Sequence, residues 1–254
     1  MPLVDPLLSE DQARQVSKFT YDIYREMEGD EEFCELGSAM QYAYSEVLGR
    51  EFNLGHYYLY APQDTIMEPR PAIVFLHGSE GNFKAYAWVW SKFAKEKGCV
   101  IIFPSYGFGN WDGDGIEHVM NSLADAKTRV AINQDKIYLA GLSNGGKGVS
   151  LLAEKYSDLF KGLIFISPVL IKDKFSGSTF ERNWSEKRIF MCSGTEDKRI
   201  PLSSIENAVE DMESANAKVT FHTYPDEDHF LFFSQPEQIF SNISIWLSDD
   251  ENQG

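Results

Sequence analysis

Positive charge is scarce in this sequence. Against 39 Asp and Glu stand only 23 Lys and Arg, giving a formal net charge of -16 at pH 7, and no tail gathers the excess. Phosphate recognition needs clustered Lys and Arg, so nucleic acid and acidic membrane surfaces are excluded as expected partners. A neutral or cationic small molecule is easier to accommodate. Cysteine is sparse as well. The three present (Cys34, Cys99, Cys192) are odd in number, and two lie inside apolar runs, which reads as buried thiols in a reducing compartment rather than a disulfide framework. No apolar run approaches the length of a membrane span. The start, "MPLVDPLLSEDQ", lacks the basic residues and greasy segment of a secretory leader, so the expected location is the cytoplasm. Internal repeats and low-complexity tracts are absent too, and the polar turn "APQDTIMEPRP" (61–71) is the one linker-like stretch.

What is there is enough for a large core. A chain of 254 residues buries about three quarters of its unfolded surface when it folds, so a closed pocket is feasible. The first fifty residues differ from the rest. "SEDQ" (9–12) is a capping signal, and Val16, Phe19, Ile23, Tyr24 and Met27 then recur on one helical stripe before Gly29. A second stripe, Phe33, Leu36, Met40, Tyr44, Val47 and Leu48, ends at Gly49. Two amphipathic helices are expected, packed on the body of the protein. The division expected is a helical extension over 1–50 and a single α/β domain over 51–254.

From about residue 54 strand and helix patterns alternate. Apolar runs predict strands at 56–61, 71–78, 99–105, 136–142, 162–167, 188–194 and 218–224. Helical stretches are expected at 83–97, 116–132, 145–157, 203–215 and 236–247. Near-continuous apolar strands separated by helices indicate a mostly parallel, twisted sheet covered on both faces. Ligands in such a sheet sit beyond the carboxyl ends of the strands.

At one of those ends lies "YLAGLSNGGKG" (138–148). Gly141-Leu142-Ser143-Asn144-Gly145 fits G-x-S-x-G, a weak signal as a bare pentapeptide. Here a strand enters it and a helix leaves it, the setting in which a sharp turn lifts the serine hydroxyl above the sheet. A serine hydroxyl at neutral pH is a poor nucleophile, so it needs a base within hydrogen-bond reach and an acid to orient that base. Of the five histidines, His229 in "YPDEDHFLF" follows the last predicted strand in a polar loop, whereas His222 lies within that strand, His118 within a helix and His56 at the start of the first strand. For the acid, Asp197 in "CSGTEDKRIP" is favoured, with Glu196 adjacent and Asp228 as further alternatives. The order Ser143, Asp197, His229 is the chain order of an α/β-hydrolase triad. A developing oxyanion needs fixed donors, and the backbone NH groups of Ser79, in the turn "FLHGSEGN", and of Asn144 are suited to that task. His77 is read as a brace for that turn rather than as a catalyst.

Across roughly 55–250 these residues resemble the α/β-hydrolase superfamily. "LHGSEGN" is similar to its oxyanion loop, "IYLAGLSNGG" to its nucleophile elbow, "GTEDKRIP" to its acid loop and "DEDHF" to its histidine loop. Within the superfamily the chain looks most like compact serine esterases, such as the feruloyl esterase, polyhydroxyalkanoate depolymerase and phospholipase/carboxylesterase groups. The resemblance implies an eight-strand sheet and a serine-ester mechanism with no metal or organic cofactor. Two departures stand out. Only one strand is evident before "PAIVFLHG", where the family has two. The insertion over 168–187 is also too short for a large lid, so an open cleft is expected, roofed by the N-terminal helices or by "SYGFGNWDGDG" (105–115). Phe108, Trp111 and Trp184 are candidate pocket residues. Asp112 and Asp114 lack the later ligands of a calcium loop, so no metal site is expected. The function expected is hydrolysis of a small or medium neutral ester through an acyl-enzyme. Two rivals are a peptidase or thioesterase with the same triad and a non-catalytic binding protein or receptor on a hydrolase scaffold. Oligomeric state is not legible.

Overall fold

The computed structural model describes residues 7–30, 56–62, 68–79, 83–106, 109 and 111–248. Seven strands, β1 (His56–Tyr60), β2 (Arg70–Leu76), β3 (Val100–Ser105), β4 (Ile132–Leu142), β5 (Gly162–Ile166), β6 (Arg188–Gly194) and β7 (Lys218–Tyr224), form one sheet in the order β1-β3-β2-β4-β5-β6-β7. Only β1 runs antiparallel, along β3, with His56 opposite Ser105; the other pairs are parallel. The order reverses between β2 and β4, the switch point at which such sheets place ligands. Seven strands among the described residues are one fewer than the resemblance implies. The second expected N-terminal helix, over 33–49, lies outside the described residues.

The sheet is covered on both faces because its central strands are apolar on both. On β2, Ile73 and Phe75 join one buried cluster while Ala72, Val74 and Leu76 join the other. The first face is packed by α1 (Glu10–Glu28), α2 (Phe83–Lys97), the single turn α7 (Leu231–Ser234) and α8 (Pro236–Ser248). The second is packed by α3 (Asp114–Arg129), α4 (Gly145–Lys155), α5 (Gly177–Trp184) and α6 (Leu202–Ser214). None of the described helices is long and apolar enough to cross a membrane. Cys99 and Cys192 are buried free thiols, and burial pushes the Cys99 thiol up to about 12.

Two expected boundaries shift for identifiable reasons. The α3 helix ends at Arg129, three residues before its expected end. Val130 is already extended, and Arg70 of β2 recruits Ile132 across a bulge, so β4 starts through the polar "NQD" instead of at Lys136. The insertion over 168–187 contains α5, which drives Phe180 and Trp184 into the core. Helix α1 begins as its capping signal predicts: the Gln12 amide donates to Ser9 Oγ and Ser9 N donates to Gln12 Oε1. Its stripe meets the body through Phe19, stacked on Phe233 at 6.4 Å, and through buried Met27. Near its far end Glu26 pairs with Lys92 at 2.8 Å, and Trp88 Nε1 donates to Asp30.

Candidate active site

Three loops at the carboxyl edge of the sheet converge. The first is the turn from β4 to α4, where Ser143 has φ of +50°. That left-handed conformation costs a non-glycine residue about 1–3 kcal/mol, so its surroundings must hold it. They do: Ser143 N donates to Ile166 O at 3.1 Å, and Ser143 O accepts from Gly146 N at 2.9 Å and Val169 N at 2.8 Å. Helix α4 comes so close to β2 that a Cβ on Gly145 would lie 2.0 Å from the Leu76 carbonyl oxygen. Glycine there is the condition for the sharp turn.

The second and third loops follow β6 and β7 and are fastened to each other. Thr195 N donates to Tyr224 O, Glu196 N to Glu227 O and Asp226 N to Thr195 Oγ1. A Cβ on Gly194 would stand 2.1 Å from Glu227 O, so this junction too requires glycine. The result is a chain of polar contacts. His229 Nε2 lies 2.9 Å from Ser143 Oγ, and His229 Nδ1 lies 2.8 Å from Asp197 Oδ2. Asp197 is only 4% exposed, and its other oxygen accepts from the amides of Arg199 and Ile200, both at 2.9 Å. A buried carboxylate so bonded stays oriented toward one imidazole nitrogen and leaves the other to accept from the serine. Glu196 is exposed, and Asp228 turns its Oδ1 back to the Phe230 amide at 2.8 Å. Neither approaches His229 in the way Asp197 does.

His77, after β2, has a different set of partners. Tyr106 N donates to its Nε2 at 3.1 Å, which leaves the proton on Nδ1, 2.7 Å from Gly78 O. Its own carbonyl accepts from Trp111 Nε1 at 2.8 Å. The imidazole therefore braces the turn that carries Ser79. The Ser79 hydroxyl in turn accepts from the Asn144 side-chain amide, which ties this turn to the serine elbow. Among the described residues, neither the Ser79 nor the Asn144 backbone NH finds an acceptor.

The aromatic pocket candidates require correction. Trp111 is buried at 1% exposure, against His77 and under Gly148, and Trp184 is fully buried with its Nε1 bonded to Ala153 O at 2.9 Å. Both indoles fill the interior on the α3–α6 face of the sheet, where each N–H finds a carbonyl. Phe108 lies outside the described residues. What the sequence pattern missed is a small crevice beside His229 that Leu7, Leu8 and Gln12 line together with Glu196, Lys198, Arg199 and Asp228. Its signal, a capping box preceded by two leucines, was legible, but nothing in the pattern says which loop it meets. Burial lowers the pKa of Arg199, opposed by the charge of Asp228. Also missed are Ser167 and Ser193, buried with no hydroxyl partner among the described residues; Ser167 N donates to Cys192 O at 2.9 Å.

Comparison with known proteins agrees with this architecture. The family model described as serine aminopeptidase, S33, matches residues 67–189. Thermogutta terrifontis esterase 2 phosphonylated by cyclosarin superposes with a TM-score of 0.62 at 16% identity, over 76% of this chain and 88% of that one. The butyrate-bound form of the same esterase gives 0.60 at 17%, with the same coverage. A thermostable esterase gives 0.61 at 18%, over 76% of this chain and 58% of that one. No curated protein is matched by sequence. The shared fold and the serine turn at the switch point show that this chain has the α/β-hydrolase fold, and the family match over its central strands agrees with it.

Proposed function

We propose that the protein is a serine carboxylic-ester hydrolase that acts on a small or medium neutral ester, with Ser143 as nucleophile, His229 as base and Asp197 as the acid that orients it. The observation that carries this reading is the pair of contacts at His229, 2.9 Å to Ser143 Oγ and 2.8 Å to buried Asp197. As Ser143 Oγ attacks the ester carbonyl carbon, His229 Nε2 takes its proton. The carbonyl electrons move onto oxygen, which the NH groups of Ser79 and Asn144 stabilise. The tetrahedral species then collapses, the bond to the alcohol oxygen breaks, and Nε2 returns the proton to that oxygen. Water repeats the sequence on the acyl-enzyme and releases the acid.

The site residues need no metal or organic cofactor for these steps. Residues 1–50 are an extension and 51–254 the hydrolase domain, a division supported by the attachment of α1 through side chains rather than through the sheet. Two buried free thiols support a reducing, cytoplasmic setting.

Turnover of p-nitrophenyl acetate and butyrate by the wild type, lost in Ser143→Ala with the melting midpoint retained, is the expected result. Equal turnover by both proteins would refute the assignment. The match to a serine aminopeptidase family model favours one second reading, cleavage of an amide by the same three residues. Aminoacyl p-nitroanilides cleaved faster than the matching esters would establish it.

A further inference from the structure

Two serines at the carboxyl edge of the sheet have left-handed backbones, Ser143 with φ of +50° and Ser167 with φ of +40°. The first is the nucleophile of the proposed reaction. The second directly follows β5 and takes no part in that chemistry. A left-handed backbone costs any residue but glycine about 1–3 kcal/mol and persists only where the surroundings impose it.

The neighbours of Ser167 show what its conformation achieves. On one side Ile166 O accepts from Ser143 N at 3.1 Å, and on the other Val169 N donates to Ser143 O at 2.8 Å. Had β5 continued extended, residues 166 and 169 would stand about 10 Å apart along the strand. The left-handed residue turns the chain back, so both reach Ser143. The other backbone donors of the turn are settled: Ser167 N donates to Cys192 O of β6 at 2.9 Å, and Pro168 has no N–H. Helix α4 closes on the same turn, since a Cβ on Gly146 would lie 2.6 Å from Val169 O. Ser150 fastens the exit, accepting from Ile171 N at 3.3 Å and donating to Gly146 O at 2.7 Å. The Ser167 hydroxyl itself is fully buried and has no hydrogen-bond partner among the described residues. Its backbone, not its side chain, distinguishes this position.

We propose that Ser167 is a positioning residue for the nucleophile: its left-handed turn clamps the Ser143 backbone and, through Cys192 O, ties that clamp to the strand that leads to Asp197. The effect on turnover rests on the ester-hydrolase reading above; the clamp does not. The test exchanges side chains with opposite demands on φ. Glycine adopts positive φ freely, whereas a β-branched residue there is an outlier. Ser167→Thr therefore keeps the hydroxyl and opposes the turn, while Ser167→Gly removes the hydroxyl and favours it. A misplacement of about 1 Å can slow a reaction about 10²-fold. Ser167→Thr is expected to lower kcat for p-nitrophenyl butyrate by that order per folded molecule, with KM unchanged, and to slow fluorophosphonate labelling of Ser143 equally. Ser167→Gly and Ser167→Ala, which add no volume, are expected to retain both rates. Loss of kcat in either of these two, or none in Ser167→Thr, would overturn the proposal.

Amide hydrogen exchange reads the clamp without turnover. In Ser167→Thr the Ser143 and Val169 amides are expected to exchange faster than in the wild type, while those of Val74 and Leu139 in the centre of the sheet keep their rates. Unchanged exchange at Ser143 and Val169 would overturn the clamp. Faster exchange there, in a protein whose wild type neither hydrolyses esters nor takes the label, would keep the clamp and reject the ester reading.

Discussion

Two imidazoles stand at the carboxyl edge of the sheet, His77 after β2 and His229 after β7, and their surroundings are opposite in kind. Both nitrogens of His77 are taken by backbone groups, and the ring is fully buried against Phe103 and Trp111. Both nitrogens of His229 face side chains, a hydroxyl on one side and a carboxylate on the other, and the ring is half-buried. Backbone partners cannot exchange their role as the reaction proceeds, so the first ring can only hold a shape. A hydroxyl and a carboxylate can, because one gives up a proton and the other stabilises the cation that results. The same residue type is thus a strut in one loop and, in the proposed reaction, a proton carrier in the other, and the partner atoms decide which.

The largest expected break in this comparison comes at the second ring. Ser143→Ala or His229→Ala should lower kcat/KM for p-nitrophenyl butyrate by roughly 10⁴-fold or more, with the denaturation midpoint nearly unchanged. Asp197→Asn should follow closely, at about 10³- to 10⁴-fold, because an amide in that place favours the tautomer that cannot accept the serine proton. Rescue of Asp197→Asn by raising pH alone would contradict the orienting role.

His77→Ala is expected to act on stability. It removes the imidazole bonded to Tyr106 N and Gly78 O and opens a cavity beside Phe103, a combined loss of about 2–4 kcal/mol by urea denaturation. If instead it abolished turnover at full stability, the division between the two rings would fail.

A third imidazole, His222 on β7, sharpens the contrast. Burial lowers its pKa from 6.5. The unfolded chain then takes up the proton first as pH falls through that value, so the native state loses stability below about 6.5 and is unaffected above it. His222→Gln should flatten the acid side of a melting-temperature profile by a small amount and leave the alkaline side as it was.

Much of this arrangement is legible in the sequence. The expected strands at 188–194 and 218–224 coincide with β6 and β7, and helix 83–97 coincides with α2, because long apolar runs and their breakers leave little choice. The fate of the aromatic residues was not readable. Trp111 and Trp184 sit in loops and helix ends of mixed polarity, and only the positions of the His77 and Ala153 carbonyls turn both inward. The early start of β4 was equally hidden, since "NQD" has no strand pattern and is recruited by pairing with β2.

By itself the sequence determined the alternating order of elements and the glycines around Ser143, because hydrophobic period and backbone freedom are local properties of the chain. It also named three residue types that, in that order, suffice for a proton relay. Tertiary structure alone decided that His229 meets Ser143 from 86 positions away in the chain, that Asp197 rather than Glu196 is enclosed beside it, and that α1 brings Leu8 to the same edge. Those are distances through space, set by the packing of whole layers, and no local run of residues encodes them.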